Sequence, residues 1–290
     1  MATLLGSVEA GGTKFVCATG TGPGDIHRRT RIDTTTPEET LSAVVAFFSE
    51  HGPVDALGVA TFGPVELRSG HPSHGHITTT PKPGWQNADL LGPLRNGLGV
   101  PVALETDVTG AALGEWTWGA GAGLRSVVYM TVGTGIGGGV LVDGRPLPGI
   151  SHAEMGHVLV ERQAGDGYPG HCPYHRDCLE GMASGPAIEG RWGRPAEDLG
   201  DALDEAVRLE AAYLAAGLRN VVYILAPERI ILGGGVSNLP GLVDGVGGAL
   251  VEQMHGYATL PEHRSGYVVP PGLGSDSGIA GGFALARSML

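Results

Sequence analysis

Apolar positions along this chain follow two periods, and the changes from one to the other mark out its elements. In LLGSVEAGGTKFVCATG (4–20) two short apolar runs flank a glycine turn, which predicts a pair of strands. TPEETLSAVVAFFSEHG follows with the helical period: Leu41, Val44, Val45 and Phe48 share a face, Thr36 and Glu39 have capping-box spacing, and Pro37 falls at the first helical position. ALGVATF (56–62) and VPVALET (100–106) are strand-like, and DVTGAALGEWTWG opens a helix with Asp107 at its N-terminal edge. SVVYMTVGTGIGGGVLVDGRPLPG (126–149) repeats the opening pattern of strand, glycine turn and strand. Asp198 to Leu225 read as one long helix ended near Pro227, and 229–254 as a buried strand, a glycine turn and a helix. Residues 275–290 predict a last helix with Ser275 as its N-cap.

Two glycine-turn hairpins about 120 residues apart predict two similar α/β units facing one another across a cleft. No proline- or serine-rich linker separates them, so the boundary is expected inside the helix after Asp107. The expected domains are residues 1–112, joined by the C-terminal helix 275–290, and residues 113–274.

Composition narrows the functions open to such a chain. With 30 acidic against 18 basic residues the formal charge is -12, which opposes phosphate-backbone binding and an anionic membrane surface. No apolar run approaches the roughly 20 residues of a membrane span, and Met1 is not followed by a basic-then-apolar leader, so the expected location is the cytoplasm. Three cysteines do not make a disulfide framework, whereas two of them, six apart among histidines, suit a metal. Glycine, 51 of 290 residues, is more than twice its usual ~7 %. It clusters at 11–14, 133–139, 233–236 and 278–282, and each cluster is expected at a strand end or helix start.

Several motifs fail on inspection. GTGIGG (133–138) fits G-x-G-x-x-G, but a strand follows it where the dinucleotide fingerprint needs a helix. Gly6 to Gly11 has Walker spacing, but Gly12 replaces the required lysine. The H-x-E of SHAEMGH lacks the later P-C-x-x-C of the zinc deaminases. What remains is a pair of glycine turns whose backbone N–H groups could cradle phosphate. Asp107 is either a carboxylate presented to a ligand at the sheet edge or an N-cap. Cys172, His175 and Cys178 form C-x2-H-x2-C, and His157, 15 residues upstream, completes a Cys2His2 set that suits tetrahedral zinc. Four protein ligands leave no open position, so such a metal is structural; His171 and His152 are alternative imidazoles.

In order, these segments resemble the sugar kinases of the ROK family, and within it the fructokinase branch. EAGGTKF (9–15) is similar to the first phosphate loop, ETDV (105–108) to the segment with the catalytic aspartate, and TVGTGIGGG (131–139) to the second phosphate loop. HAEMGH with CPYHRDCLEGMASGPA is similar to the zinc-containing sugar-binding signature, and GGGV (233–236) lies where the family contacts adenosine. The resemblance implies an actin-like ATPase (ribonuclease H-like) fold and transfer of the γ-phosphoryl group of ATP to a sugar hydroxyl. It implies Asp107 as general base, phosphate and Mg²⁺ handling by Glu9, Gly11, Gly12, Thr13, Lys14, Thr131, Gly133, Thr134 and Gly135, and nucleotide contact at Gly233, Gly234 and Gly235. Sugar contacts fall on Thr106, Asp107, Glu154, His157 and Glu180, with His157 also a ligand of structural Zn²⁺. Glu9, Thr106 and His175 depart from the glucokinase pattern and favour fructose as substrate. The expected partners are a sugar and ATP, with no nucleic acid, no membrane and a homodimer. A sugar-sensing repressor of the family would carry a DNA-binding motif ahead of the first loop, where eight residues precede Glu9 here.

Overall fold

A computed structural model describes residues 3–51, 53–257 and 266–290; the leader expectation, which starts at Met1, falls partly outside these. The chain runs through two series of elements in the same order. The first is β1 (Leu5–Ala10), β2 (Lys14–Gly22), β3 (Asp25–Asp33), α1 (Pro37–Glu50), β4 (Ala56–Thr61), α2 (Leu91–Leu98), β5 (Val102–Thr106) and α3 (Asp107–Trp118). The second opens with β6 (Ser126–Val132), β7 (Ile136–Val142) and β8 (Arg145–Pro146), then inserts a long loop with the short helices α4 (Leu179–Ala183) and α5 (Gly185–Trp192). It resumes with α6 (Leu203–Leu225), β9 (Arg229–Gly233), α7 (Leu242–Met254), β10 (Val268–Val269) and α8 (Ser277–Arg287). The two sheets have strand orders β3-β2-β1-β4-β5 and β8-β7-β6-β9-β10, so the repeat visible at two turns extends to the whole topology.

The chain divides into two compact units: residues 1–123 with 139–152 and 272–290, and residues 124–138 with 153–271. In the first, one sheet face packs Val8, Phe15 and Val59, together with Trp85 of the loop after β4, against Leu41, Val44 and Phe48 of α1 and Leu91 and Leu94 of α2. The other face packs Leu5, Val16 and Ala56 against Ile279, Phe283 and Ala286 of α8. In the second, Val127, Val128, Ile230 and Ile231 of β6 and β9 are fully buried, and α6 packs along α7. Among the described residues no helix is long and apolar enough to cross a membrane.

The start of α1 is as expected: Pro37 is its first residue and the Thr36 hydroxyl accepts from the Glu39 amide at 3.3 Å. Three expectations are corrected. The long helix begins at Leu203, because residues 196–202 form two single 3-10 turns around Gly200, whose φ of 55° breaks the α geometry. Ser275 does not cap α8; it lies within a 3-10 turn, and the helix starts without a side-chain cap. The glycines at 278–282 lie inside α8, where they allow close packing. A Cβ at Gly281 would lie 2.0 Å from the Gly110 carbonyl of α3, and one at Gly58 of β4 only 1.9 Å from that of Gly282.

Candidate functional site

In the first unit the β1–β2 turn is closed by the Gly11 amide donating to the Lys14 carbonyl at 2.9 Å, and the Thr34 hydroxyl fixes the Gly11 carbonyl at 2.7 Å. Thr13 and Lys14 are exposed at its tip. The half-buried Glu9 carboxylate lies against Gly278, where a Cβ would come within 2.6 Å of Oε1. Burial raises Glu9 above the ordinary carboxylate range, the charge of Asp107 adds to this, and Lys14 and Arg29 oppose it. Two carboxylates that sense one another on one unit have the chemistry to share a hydrated divalent cation.

At the end of β5 the structure separates the two readings of Asp107. The N-cap of α3 is Thr106, whose buried hydroxyl accepts from the Thr109 amide at 3.2 Å and donates to the Thr109 hydroxyl at 2.8 Å. That hydroxyl thus accepts one bond and donates another at the helix start. Asp107 is the first helical residue, half-buried, with Oδ1 accepting from the Val108 amide at 2.8 Å. Beside it, burial lifts Glu105 to about 7, only partly opposed by the Thr106 amide.

In the second unit His157, Cys172, His175 and Cys178 place one ligand atom each within 4.8 Å of one another. The Cys172 sulfur lies 3.8 Å from Nδ1 of both His157 and His175, and the Cys178 sulfur 3.6 Å from Nδ1 of His157. Zn–S and Zn–N bonds of about 2.3 and 2.05 Å at tetrahedral angles put S and N about 3.6 Å apart, so this donor set fits zinc. Neither His152 nor His171 belongs to the cluster. The knuckle is closed by reciprocal backbone bonds between Cys172 and Arg176, and Leu179 donates to the Val158 carbonyl at 2.9 Å, tying Cys178 to the His157 segment. Burial, with a contribution from Cys172, pushes the Cys178 thiol up to about 11, so a metal entering the cluster displaces a proton.

The second glycine turn lies nearby in the same unit. Gly133 donates to the Gly135 carbonyl at 2.9 Å, and its own carbonyl accepts from Gly185 at the start of α5 at 2.7 Å. Gly156, in the 3-10 turn that carries His157, packs so closely on β7 that a Cβ would meet the Ile136 carbonyl at 1.9 Å. Glu154 precedes that turn and is exposed. Gly133 and Thr134 form one wall of a pocket of about 770 Å³, with Gly235 and Val236 on another and Pro195, Leu199 and Leu203 completing it. Of the three glycines at 233–235 only Gly235 lines this pocket; Gly233 makes room for the Tyr129 hydroxyl, and Gly234, at φ 92°, for Val132. Thr131 lies on β6, half-buried.

The sequence pattern of the ROK family matches residues 5–289. The chain belongs to the ROK family. This ROK chain is 43 % identical over 288 residues to a fructokinase of Pediococcus pentosaceus, covering 99 % of each. It is 42 % identical over 290 residues to a fructokinase of Zymomonas mobilis, covering 98 % of this chain and 96 % of that one. Among solved structures, a ROK hexokinase from Thermus thermophilus superposes with a TM-score of 0.81 at 27 % identity, covering 99 % of both chains. A ROK glucokinase from Streptomyces griseus in complex with glucose and AMPPNP gives 0.76 at 27 %, covering 98 % of this chain and 99 % of that one. The fold is the actin-like ATPase fold that the resemblance implies.

Sequence reasoning about this ROK chain missed three groups. Pro195, Leu199 and Leu203 line the pocket from a segment with no motif. Glu115, fully buried in α3, accepts from the amides of Ala120, Gly272 and Leu273 and from the Ser277 hydroxyl, at 2.6 to 3.0 Å. Asp166 anchors the loop that carries the Cys2His2 set: it accepts from the Tyr213 hydroxyl at 2.6 Å, the Tyr168 amide at 3.0 Å and the Arg191 guanidinium at 3.1 and 3.3 Å. An Asp, an Arg and two Tyr spread over 47 residues show no signal until the loop folds.

Proposed function

We propose that this ROK-family chain is an ATP-dependent sugar kinase, a phosphotransferase with an alcohol acceptor, that phosphorylates the 6-hydroxyl of D-fructose. What carries the reading is whole-chain identity to fructokinases together with a carboxylate, Asp107, held at the first turn of α3 while its neighbour supplies the cap. Asp107 takes the proton of the sugar hydroxyl as its oxygen forms a bond to the γ-phosphorus; the bond from that phosphorus to the β–γ bridging oxygen breaks, and ADP departs. The pocket beside Gly133, Thr134 and Gly235 suits the nucleoside and inner phosphates, and the turn of Gly11, Gly12, Thr13 and Lys14 suits the outer ones. Mg²⁺ offsets the negative charge that develops on the phosphates, with Glu9 as the residue to hold its water shell.

Glu154 and His157 fit sugar recognition. With Nδ1 turned to the two sulfurs, His157 keeps Nε2 for a hydroxyl, so a structural zinc would fix a substrate-contacting ring. Reduced thiols in that cluster suit the cytoplasm. A homodimer belongs to the same reading, with the exposed rings of Tyr223 and Tyr257, 6.0 Å apart, as an apolar patch available to it. The second reading is a kinase for another hexose or amino sugar, mannose, glucose or N-acetylmannosamine, of which glucose is favoured by the fold match to a hexokinase and a glucokinase; the third is a sugar-binding protein without turnover.

ADP release with Mg·ATP and a panel of these sugars decides between the readings. Fructose-dependent turnover that falls about 10³-fold in Asp107→Asn, with fructose binding retained, is the expected result. Turnover on another sugar replaces the substrate, and near-normal kcat in the variant removes Asp107 as base.

A further inference from the structure

Glu180 is the second residue of α4, two residues after Cys178. Its Oε2 accepts from the Ile136 amide at 2.9 Å, at the point where the second glycine turn becomes β7. The approach is close: a Cβ on Gly135 would lie 2.7 Å from the same oxygen. Five residues along, the Gly185 amide holds the Gly133 carbonyl at 2.7 Å, so both ends of the turn are gripped by the segment 180–185. Gly133, Thr134, Gly185 and Pro186 then line the 770 Å³ pocket.

We propose that Glu180 is a positioning residue for the phosphoryl donor: its carboxylate holds the second glycine turn in the shape that binds the nucleotide phosphates. A three-residue stretch with two glycines between strands has much conformational freedom to lose on binding. With the Gly133 amide given to Gly135 and the Ile136 amide to Glu180, the amides of Thr134 and Gly135 are the ones left to take phosphate. α4 is a firm support for such a grip, since Leu179, Met182 and Ala183 are buried and Leu179 fills the notch at Gly217 of α6. A negative charge beside a phosphate site weakens anion binding unless it orders the donors, and the 2.9 Å bond supplies that order. This assignment differs from a sugar contact and rests on the ATP-kinase reading above.

The test is calorimetric titration of ADP, without sugar, into the zinc-loaded wild type, Glu180→Ala and Glu180→Gln, with metal content and melting measured on each. In Glu180→Ala the Kd for ADP is expected to rise about ten-fold, as for the loss of one charge-assisted hydrogen bond. Glu180→Gln keeps an acceptor oxygen without the charge and should bind within about two-fold of wild type or tighter. Wild type that binds no ADP removes the nucleotide reading and this assignment with it. Wild type that binds while Glu180→Ala binds equally well, with only fructose affinity lost, overturns this assignment alone and leaves the kinase reading in place. Where Glu180→Ala does not fold, amide exchange in the wild type decides: protection of Ile136 before ADP is added supports the grip, and exchange as fast as at Thr134 refutes it.

Discussion

Thr106 and Asp107 illustrate how much a single position decides. Asp and Thr are both good N-caps, so ETDV alone leaves open which one closes the helix. Thr106 takes the cap, and the carboxylate of Asp107 is left at the first turn of the helix. Glu105 is the group that composition gave no reason to suspect. Burial lifts it from 4.5 to about 7, so the folded protein keeps a proton that the unfolded chain has lost. Its contribution to stability is complete below about pH 4.5 and is lost as pH rises through about 7. Glu105→Gln, which never ionises, should match wild type near pH 4 and exceed it by roughly 1–3 kcal/mol near pH 8; urea unfolding at the two pH values checks this. The Cys2His2 set was legible because its members crowd into residues 157–178, whereas the partners of Asp166 come from loop, α5 and α6.

Strongly periodic elements declared themselves: α1 with its cap, the buried strands β4 and β9, and both glycine hairpins. The edge strand β3, DIHRRTRID, did not, because it is largely exposed and carries little apolar alternation. The glycines of α8 misled for a physical reason: helix-to-helix contact demands the same absent Cβ as a turn does. Gly281→Ala should drive α3 and α8 apart and cost ~3 kcal/mol, seen as a lowered melting temperature. Gly248→Ala, in α7 with nothing within 4 Å of the new methyl, should raise stability by about 0.5–1 kcal/mol. Equal effects at the two sites would refute the packing account.

For the whole molecule, the doubled topology was legible from two hairpins, while the inserted loop between β8 and α6 was legible only through its cysteines and histidines. The Cys2His2 set and the Asp166 network both belong to the second unit, so zinc held by that set would stabilise one unit only. Chelation is expected to speed amide exchange across residues 157–178 and leave α3 and α8 protected. Loss of protection in α8 as well would show that the cluster supports more than its own unit. The sharing of α8 has its own outcome during synthesis. Residues 277–287 complete the first unit against β1 and β4, so Leu5, Val16 and Ala56 lack their covering until those residues have left the ribosome. The unit that begins first is therefore the one that matures last, and a ribosome that stalls late releases a product with an apolar sheet face open to chaperones.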